Sequence, residues 1–181
     1  PFVYYGEEIG QSGKKPDDNI REPFDWYQDA EGPGMTTMDK GGFYNDMKYT
    51  EPNDGISLAE QQGEKGSIFE HYQELIEIRK ENPILFDGQY NKIDTAEKTY
   101  GYKVSGKEAD YNLFIIHNKA KQSSTVKLSN EMKGLLTDKN YQPGKVKIKP
   151  YGTLILKTKQ EKMWLSGQTT DVTCQLKAKK V

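Results

Sequence analysis

The sequence predicts an α/β segment followed by an all-β segment of antiparallel strands. The chain opens with a short apolar run, Phe2–Tyr5, which has the aromatic and β-branched composition of a buried parallel strand. An amphipathic helix is predicted over residues 67–81, and it ends before Pro83 because proline disfavours helical backbone in the preceding residue. After Pro83 the apolar pattern changes from helical to near-alternating, so the boundary between the two segments is predicted at residues 82–86.

The opening run leads through Gly6 into two adjacent carboxylates, Glu7 and Glu8. A buried parallel strand needs hydrogen-bonded neighbours on both edges, and no sequence precedes this one. We therefore expect the chain to be the C-terminal piece of a larger protein, with a missing N-terminal segment that supplies those neighbours.

Composition excludes several classes of function. The 181 residues carry 26 basic and 27 acidic side chains, so no basic excess favours nucleic-acid binding. No apolar run approaches the roughly 18 residues of a membrane span. Cys174 is the single cysteine, which excludes an intrachain disulfide or a cysteine-based zinc site. The sequence does not distinguish an extracellular from a cytoplasmic location for the protein.

Two helix starts carry the spacing of a capping box, Ser57 to Glu60 and Ser67 to Glu70. The second opens the predicted helix over 67–81, whose apolar stripe repeats at helical spacing. The stripe consists of Ile68, Phe69, Tyr72, Leu75, Ile76 and Arg79. Before these helices, residues 11–53 form a long connection rich in Gly, Pro, Asp and Asn. Its embedded aromatic residues argue against plain disorder.

Seven short strands are predicted after Pro83, separated by turn residues such as Gln142-Pro143-Gly144. They cover residues 88–95, 99–104, 111–118, 123–128, 134–137, 145–149 and 153–158. Short strands at this spacing are typical of an antiparallel sandwich or barrel. The domains are thus predicted at 1–83 and 84–160, with 161–181 as a tail or linker.

Five polar or aromatic residues are candidates for a substrate cleft. Glu7 and Glu8 follow the opening strand, and in a parallel α/β barrel such positions face the active site. Arg21, Glu22 and Trp26 lie in the motif Ile20-Arg-Glu-Pro-Phe-Asp-Trp26, where a guanidinium suits a carboxylate and an indole suits a sugar ring. The alternatives are structural. Glu7 and Glu8 cap a loop or pair with Arg21, while the Arg and Glu of the motif form an ion pair and its indole packs.

The sequence contains no recognisable motif for a catalytic histidine, a calcium loop or a phosphate-binding loop. His71 and His117 are interpreted as structural histidines, because no serine or cysteine context marks either as a base. Asp17-Asp18 lacks the spacing of a calcium loop, and no glycine-rich phosphate loop is present. No metal site and no cofactor are predicted in this chain.

Together these motifs resemble the α-amylase family of glycoside hydrolases. The run Pro1–Gly10 and the motif Ile20–Trp26 are similar to that family's sequence around its eighth barrel strand. Residues Leu75–Pro83 resemble its last barrel helix, and Pro150–Leu156 resemble the closing strand of its C-terminal β-domain. The resemblance covers residues 1–158 in the family's order and leaves the tail unassigned.

This resemblance implies the C-terminal fragment of a (β/α)8 TIM barrel joined to an antiparallel β-sandwich. It implies retaining cleavage of α-glucosidic bonds, which needs two carboxyl groups about 5–5.5 Å apart. In the family these groups lie upstream of the eighth strand, so no catalytic residue is expected in this chain, and the fragment alone is expected to be inactive. Calcium is implied only for the parent enzyme.

Several functions stay open. The first is cleavage of α-1,4 bonds in starch or maltooligosaccharides, and the second is an oligo-α-1,6-glucosidase or α-glucosidase of the same family. A third is a non-catalytic carbohydrate-binding β-module, motivated by Tyr90, Tyr100, Tyr102 and Tyr111. A fourth is a non-enzymatic relative, such as the heavy chain of an amino-acid transporter.

Overall fold

The structure is a computed structural model, and it describes residues 2–33, 49–95 and 98–159. The predicted tail 161–181 lies outside these residues. Two compact units are present, Pro1–Glu77 and Ile78–Val181. The division falls inside the predicted helix rather than after it, and the domain bounds 1–83 and 84–160 stay a prediction.

The predicted helix is confirmed as α2, Ile68–Glu81. Before it lie a 3-10 helix, Asp17–Ile20, and the short helix α1, Leu58–Gln61. After it lies α3, Ile84–Asp87, which the sequence analysis did not predict. Such a helix of four residues has too few positions to produce a periodic pattern.

Both capping serines act as predicted, but only the first capping box is complete. Ser57 Oγ accepts from the Glu60 amide at 3.3 Å, and the Glu60 carboxylate accepts from the Ser57 amide at 3.2 Å. Ser67 Oγ accepts from the Glu70 amide at 3.2 Å, whereas Glu70 accepts from the Gly63 amide at 2.7 Å. The second carboxylate thus fixes the turn before the helix.

The strand predicted at Phe2–Tyr5 is not formed in this structure. Phe2 is fully exposed, and Val3, Tyr4 and Tyr5 are 54%, 58% and 42% exposed. Residues 5–10 form turns instead. The physical reason is that a strand is stable only when a neighbour satisfies its backbone groups, and no described strand pairs with this segment.

The described residues of the second unit form eight strands, and these reproduce the predicted series closely. The strands are β1 Gln89–Ile93, β2 Thr99–Ser105, β3 Tyr111–Asn118, β4 Ser124–Leu128, β5 Met132–Gly134, β6 Asn140–Tyr141, β7 Gly144–Ile148 and β8 Thr153–Lys159. β7 begins one residue before its predicted position. β5 begins two residues before and meets its predicted range only at Gly134, and β6 was not predicted. Both are very short, so alternation in the sequence is a weak signal for them.

The strands form an antiparallel six-stranded sheet, in the order β1-β2-β3-β8-β5-β6, and a two-stranded sheet of β4 and β7. Leu113–Ile116, predicted as a central strand, lies in β3 between β2 and β8. Both sheets contribute to one apolar core: Phe114, Ile116, Val126, Leu128, Met132, Val146, Ile148, Leu154 and Leu156. Burial of such side chains stabilises the folded state by about 1.5–3 kcal/mol each.

Asn118 connects two turns at one end of this core. Its side-chain amide donates to the carbonyls of Gln122 and Lys149, each at 2.8 Å, and its Oδ1 accepts from Ser124 Oγ at 2.9 Å. Because Asn118 is buried, this network fixes the β3–β4 and β7–β8 connections together. Within the described parts of the chain, no helix has the length and apolar character needed to cross a membrane.

Candidate functional site

The segment that carries Glu7 and Glu8 is a glycine-bounded turn. Gly6 and Gly10 have φ angles of +88° and +74°, which side chains with a Cβ rarely adopt. A Cβ on Gly10 would also lie 2.5 Å from Ile68 Cδ1. The Gln11 amide closes the turn on the Gly6 carbonyl at 2.8 Å.

The motif at residues 21–26 is fixed by backbone and side-chain hydrogen bonds. The Gln11 side chain donates to the Pro23 carbonyl at 2.8 Å, which joins the glycine turn to the motif. The first amides of α1 bind its other end, since Leu58 N donates to the Asp25 carbonyl at 2.9 Å and Ala59 N to the Trp26 carbonyl at 3.2 Å. These bonds satisfy helix-end donors that have no partner within the helix.

Gln61 connects the elements around the motif. Its buried side-chain amide donates to the carbonyls of Ile9 at 2.6 Å and Ile56 at 2.7 Å. Its Oε1 accepts from the Phe69 amide at 3.1 Å. One side chain therefore holds the glycine turn, the segment before α1 and the start of α2.

The two adjacent acids have different surroundings. Glu7 is exposed, and its carboxylate accepts a hydrogen bond from the Tyr4 amide at 3.3 Å. This contact agrees with the structural alternative in which the acid caps a loop. Glu8 is half-buried, and its Oε2 is buried without a hydrogen-bond partner among the described residues. Neither acid pairs with Arg21, whose guanidinium lies 3.1 Å from Asp17. The predicted role of both acids as cleft residues stays a prediction.

Glu22 and Trp26 also differ. Glu22 is 6% exposed and accepts from the Thr50 amide at 3.0 Å and the Thr50 hydroxyl at 2.9 Å, so it fixes the chain at residue 50. Trp26 is 45% exposed, and its ring packs against Phe24 with centroids 4.4 Å apart. The Trp26 ring is therefore held in place by Phe24, while part of the indole surface is accessible to solvent.

Asp25 is a buried carboxyl group at the centre of the motif at residues 21–26. It is 1% exposed, and both of its carboxylate oxygens are buried. Burial, together with the negative charges of Asp54 and Glu60, raises the pKa of Asp25 from 3.8 to about 6, against the opposing effect of the Tyr27 amide. The carboxyl group is thus poised to change its charge near neutral pH.

Asp25 and Gln61 are the residues that sequence reasoning missed. Asp25 stands inside the motif Arg21–Trp26, so its type and position were visible, but its burial depends on tertiary structure. Nothing in the sequence around Gln61 distinguishes it from Gln62, which is exposed. The structure thus links the glycine turn to the motif, but it gives Arg21 and Glu22 separate partners.

Among the described residues, no three His, Cys, Asp or Glu side chains lie together in a way that could hold a metal ion.

Three tyrosines form an aromatic surface on the six-stranded sheet of the second unit. Tyr102 lies between Tyr90 and Tyr100, with ring centroids 5.6 and 6.0 Å away. Tyr90 and Tyr100 are 50% and 41% exposed, and Lys119 lies over the Tyr100 ring at 5.1 Å. Burial, with Tyr90 and Tyr100 nearby, raises the pKa of Tyr102. Tyr111 is not part of this surface, because its ring is covered by Lys157 at 3.8 Å.

Comparison with known proteins defines the family. Residues 1–88 match the family described as "Alpha amylase, catalytic domain". The chain is 35% identical to Alpha-amylase 3 of Dictyoglomus thermophilum over 162 residues, which are 87% of this chain and 31% of that protein. The chain belongs to the α-amylase family.

Two further matches agree with this assignment. This chain is 28% identical to Glucan 1,6-alpha-glucosidase of Streptococcus pneumoniae, over 67% of this chain and 21% of that protein. It superimposes on the crystal structure of the alpha-amylase from H. orenii with a TM-score of 0.69 and 25% identity, over 88% of this chain and 32% of that one. The family is one of α-glucan hydrolases, and this chain spans about a third or less of the length of these relatives.

Proposed function

We propose that this chain is the C-terminal part of a retaining α-glucan hydrolase that cleaves α-1,4 bonds in starch or maltooligosaccharides. Residues 1–83 would complete a (β/α)8 barrel, and residues 84–160 would form its antiparallel β-sandwich domain. The observation that carries the proposal is the match of residues 1–88 to the catalytic domain of the family.

The exposed apolar surface of the first unit supports dependence on a preceding barrel segment. Phe2, Val3, Tyr4 and Tyr5 expose large side chains in succession. Such a contiguous patch is unusual on a free surface and is typical of a surface that another element covers. In this proposal the preceding segment provides the strand neighbours and both catalytic carboxyl groups.

Within the completed cleft, Trp26 is proposed as a surface for a sugar ring, because its indole is accessible while Phe24 supports it. Glu7, Glu8 and Arg21 are proposed at the cleft border. Glu22 is proposed as an anchor for that border, since its carboxylate is engaged by Thr50. Calcium, if the parent enzyme uses it, is assigned to the preceding segment.

The proposal is tested by hydrolysis of defined oligosaccharides. The isolated chain should release no sugar from maltotetraose, and addition of the preceding segment of the parent protein should give activity. Turnover by the isolated chain would contradict the proposal. Activity of the completed enzyme on isomaltotriose in place of maltotetraose would replace α-1,4 with α-1,6 specificity, which the name of the Streptococcus pneumoniae relative suggests.

A second candidate function is α-glucan binding by the aromatic surface of Tyr90, Tyr100 and Tyr102. It is favoured by the continuous contact of the three rings and the exposure of the outer two. Calorimetry of the chain with maltoheptaose should detect binding that Tyr100→Ala removes. Tyr151→Ala is the matched control, because Tyr151 is 65% exposed and outside the surface. No heat of binding at millimolar maltoheptaose would exclude this function.

A further inference from the structure

The two units carry opposite charge, although the net charge of the chain as a whole is only -1. Residues 1–77 contain 17 acidic and 6 basic side chains, whereas residues 78–181 contain 10 acidic and 20 basic ones. Such an asymmetry between two parts of one chain is typical of a protein in which one part contacts an anionic partner. The second unit therefore has the basic excess that the complete chain lacks.

This excess is concentrated at the two-stranded sheet of β4 and β7 and in the connections that adjoin it. Residues 119–130 and 139–152 contain seven lysines, all exposed, and no aspartate or glutamate. The two acids between these segments have other contacts: Asp138 lies 2.8 Å from Lys133, and Glu131 accepts from the Gln142 side chain at 2.9 Å. The positive charge of the sheet is therefore not balanced by its own segments.

The pleat of the sheet places the strand lysines on one face. β4 and β7 turn their valines, leucine and isoleucine into the core, so the residues between them lie on the outer face. Lys127 lies directly opposite Lys145, and Lys147 follows two residues later on the same face. Lys149 continues the alternation just beyond β7. These four residues, Lys127, Lys145, Lys147 and Lys149, are called the lysine face.

The fold does not require this concentration of charge. Directly opposite residues in antiparallel strands have Cβ atoms about 4.5–5.5 Å apart, and like charges at such positions are destabilising. Lys127 and Lys145 form such a pair. Lysines also protect exposed strand edges from aggregation, but edge protection does not account for Lys119 and Lys121 in the connection before β4. The lysine face is therefore suited to a partner that supplies negative charge.

The side chains present indicate what kind of anion this partner is. All seven basic residues are lysines, which act as point charges and do not bind a phosphate bidentately as arginine does. Neither β4 nor β7 contains an aromatic residue, so the bases of a nucleic acid would find no stacking partner on these strands. A sheet face is also open, whereas proteins that follow a nucleic-acid strand use a groove. These features favour an extended anionic surface.

An exposed tyrosine lies at one end of the same sheet. Tyr151 is 65% exposed in the turn after β7, and its amide donates to the Ala120 carbonyl at 3.3 Å. This bond places the turn beside the connection that carries Lys119 and Lys121. Tyrosine is enriched at membrane–water interfaces, because its ring suits lipid and its hydroxyl suits water. Exposed lysines beside an exposed tyrosine favour a lipid surface over a soluble polyanion.

We propose that the lysine face is a docking surface for an anionic phospholipid membrane. The lysine ammonium groups contact lipid phosphates, and the Tyr151 ring lies at the level of the headgroups. Each lysine held near such a surface strengthens binding by about fivefold. This docking does not depend on the proposed function, since it uses the outer face of β4 and β7 and no residue assigned to the substrate cleft.

The test is sedimentation of the full chain with lipid vesicles. Vesicles of equal parts phosphatidylcholine and phosphatidylglycerol should carry the chain into the pellet, whereas vesicles of phosphatidylcholine alone should not. An increase of the salt concentration from about 0.1 M to about 1 M shortens the Debye length from about 10 Å to about 3 Å, so it should release the chain. Sedimentation without vesicles measures aggregation.

Two double variants separate the lysine face from net charge. Lys145→Gln with Lys147→Gln should weaken binding to the anionic vesicles by about tenfold or more. Lys92→Gln with Lys107→Gln removes the same charge from exposed lysines outside the lysine face, so it is the matched control and should leave binding nearly unchanged. Thermal unfolding of both variants should match that of the unchanged chain, because all four positions are exposed.

Three results would overturn the proposal. The first is an absence of sedimentation with anionic vesicles at low salt. The second is an equal loss of binding in the two double variants, which would assign the attraction to net charge. The third is salt-sensitive binding to single-stranded DNA that Lys145→Gln with Lys147→Gln removes while vesicle binding persists, which would assign the lysine face to nucleic acid. None of these results affects the proposed function, which is decided separately by hydrolysis of maltotetraose with the completed enzyme.

Discussion

The two units are stabilised by different interactions. In the second unit, paired strands and a continuous apolar core include Leu113, Ile116 and Leu156, each no more than 1% exposed. In the first unit, Ile9 and Ala30 are the buried apolar residues among those described, and buried polar groups such as Glu22, Ser57 and Gln61 make the connections. The difference teaches that the second unit carries its own hydrophobic stabilisation, whereas the first depends on specific hydrogen bonds.

The largest effect is expected for Leu156→Ala. This side chain is fully buried between both sheets, so the substitution should cost about 2–5 kcal/mol of unfolding free energy. Hydrogen exchange of the β3 amides in the full chain measures the loss. Ile76→Ala is the control in the first unit, because Ile76 is 47% exposed and its truncation should change stability by less than about 0.5 kcal/mol. Equal losses would show that the units do not differ in this way.

The next effect concerns Asp25 and pH. Its folded-state pKa of about 6 exceeds the ordinary 3.8, so the folded state binds the proton more tightly than the unfolded state. Stability of the first unit should therefore fall as pH rises from 3.8 to 6, by up to about 3 kcal/mol. Asp25→Asn should remove this slope, as measured by exchange of the Gln11 amide. The exposed Asp29, changed to Asn, should leave the slope intact; a slope that persists in Asp25→Asn would assign it elsewhere.

A smaller effect is expected for Gln61→Met, which keeps the side-chain length but removes the amide. The Ile9 carbonyl and the Phe69 amide would lose their partner, at a cost of about 1–3 kcal/mol. Faster exchange near residues 9 and 69 should result, while the β3 amides are unaffected. Gln62→Met is the control, since Gln62 is exposed, and an equal effect there would remove the special role of Gln61.

The smallest effect is expected at the ion pair between Lys133 and Asp138, whose charged atoms lie 2.8 Å apart on the surface. Solvent screens such exposed pairs, so Lys133→Met should leave thermal unfolding of the second unit unchanged. A clear decrease that disappears at high salt would show that surface charge contributes to this unit as well.

Local sequence patterns were sufficient to predict helix α2 and most strands of the second unit. Helix α2 was predicted from its capping serine, its apolar repeat and Pro83. These local signals suffice because the backbone hydrogen bonds of a helix form within the helix itself. The strands from β1 to β4, β7 and β8 were predicted from alternation and turn residues. The opening strand was predicted wrongly for this structure, since strand formation depends on a neighbour and not on composition alone.

For the candidate site, the sequence indicated the right segments and left their contacts open. The motif Arg21–Trp26 was recognised, yet the contacts of Arg21 with Asp17 and of Glu22 with Thr50 were not predicted. Ile78 illustrates the same limit, because it lies outside the predicted apolar stripe of α2 and is nevertheless the buried residue of that helix.

The sequence by itself determined the α-amylase family and the order of elements, because caps, proline and apolar periodicity act over a few neighbouring residues. Only the tertiary structure decided which polar groups are buried, above all Asp25, Gln61 and Asn118. Burial and hydrogen-bond partners depend on residues far apart in the chain, and no local pattern records them.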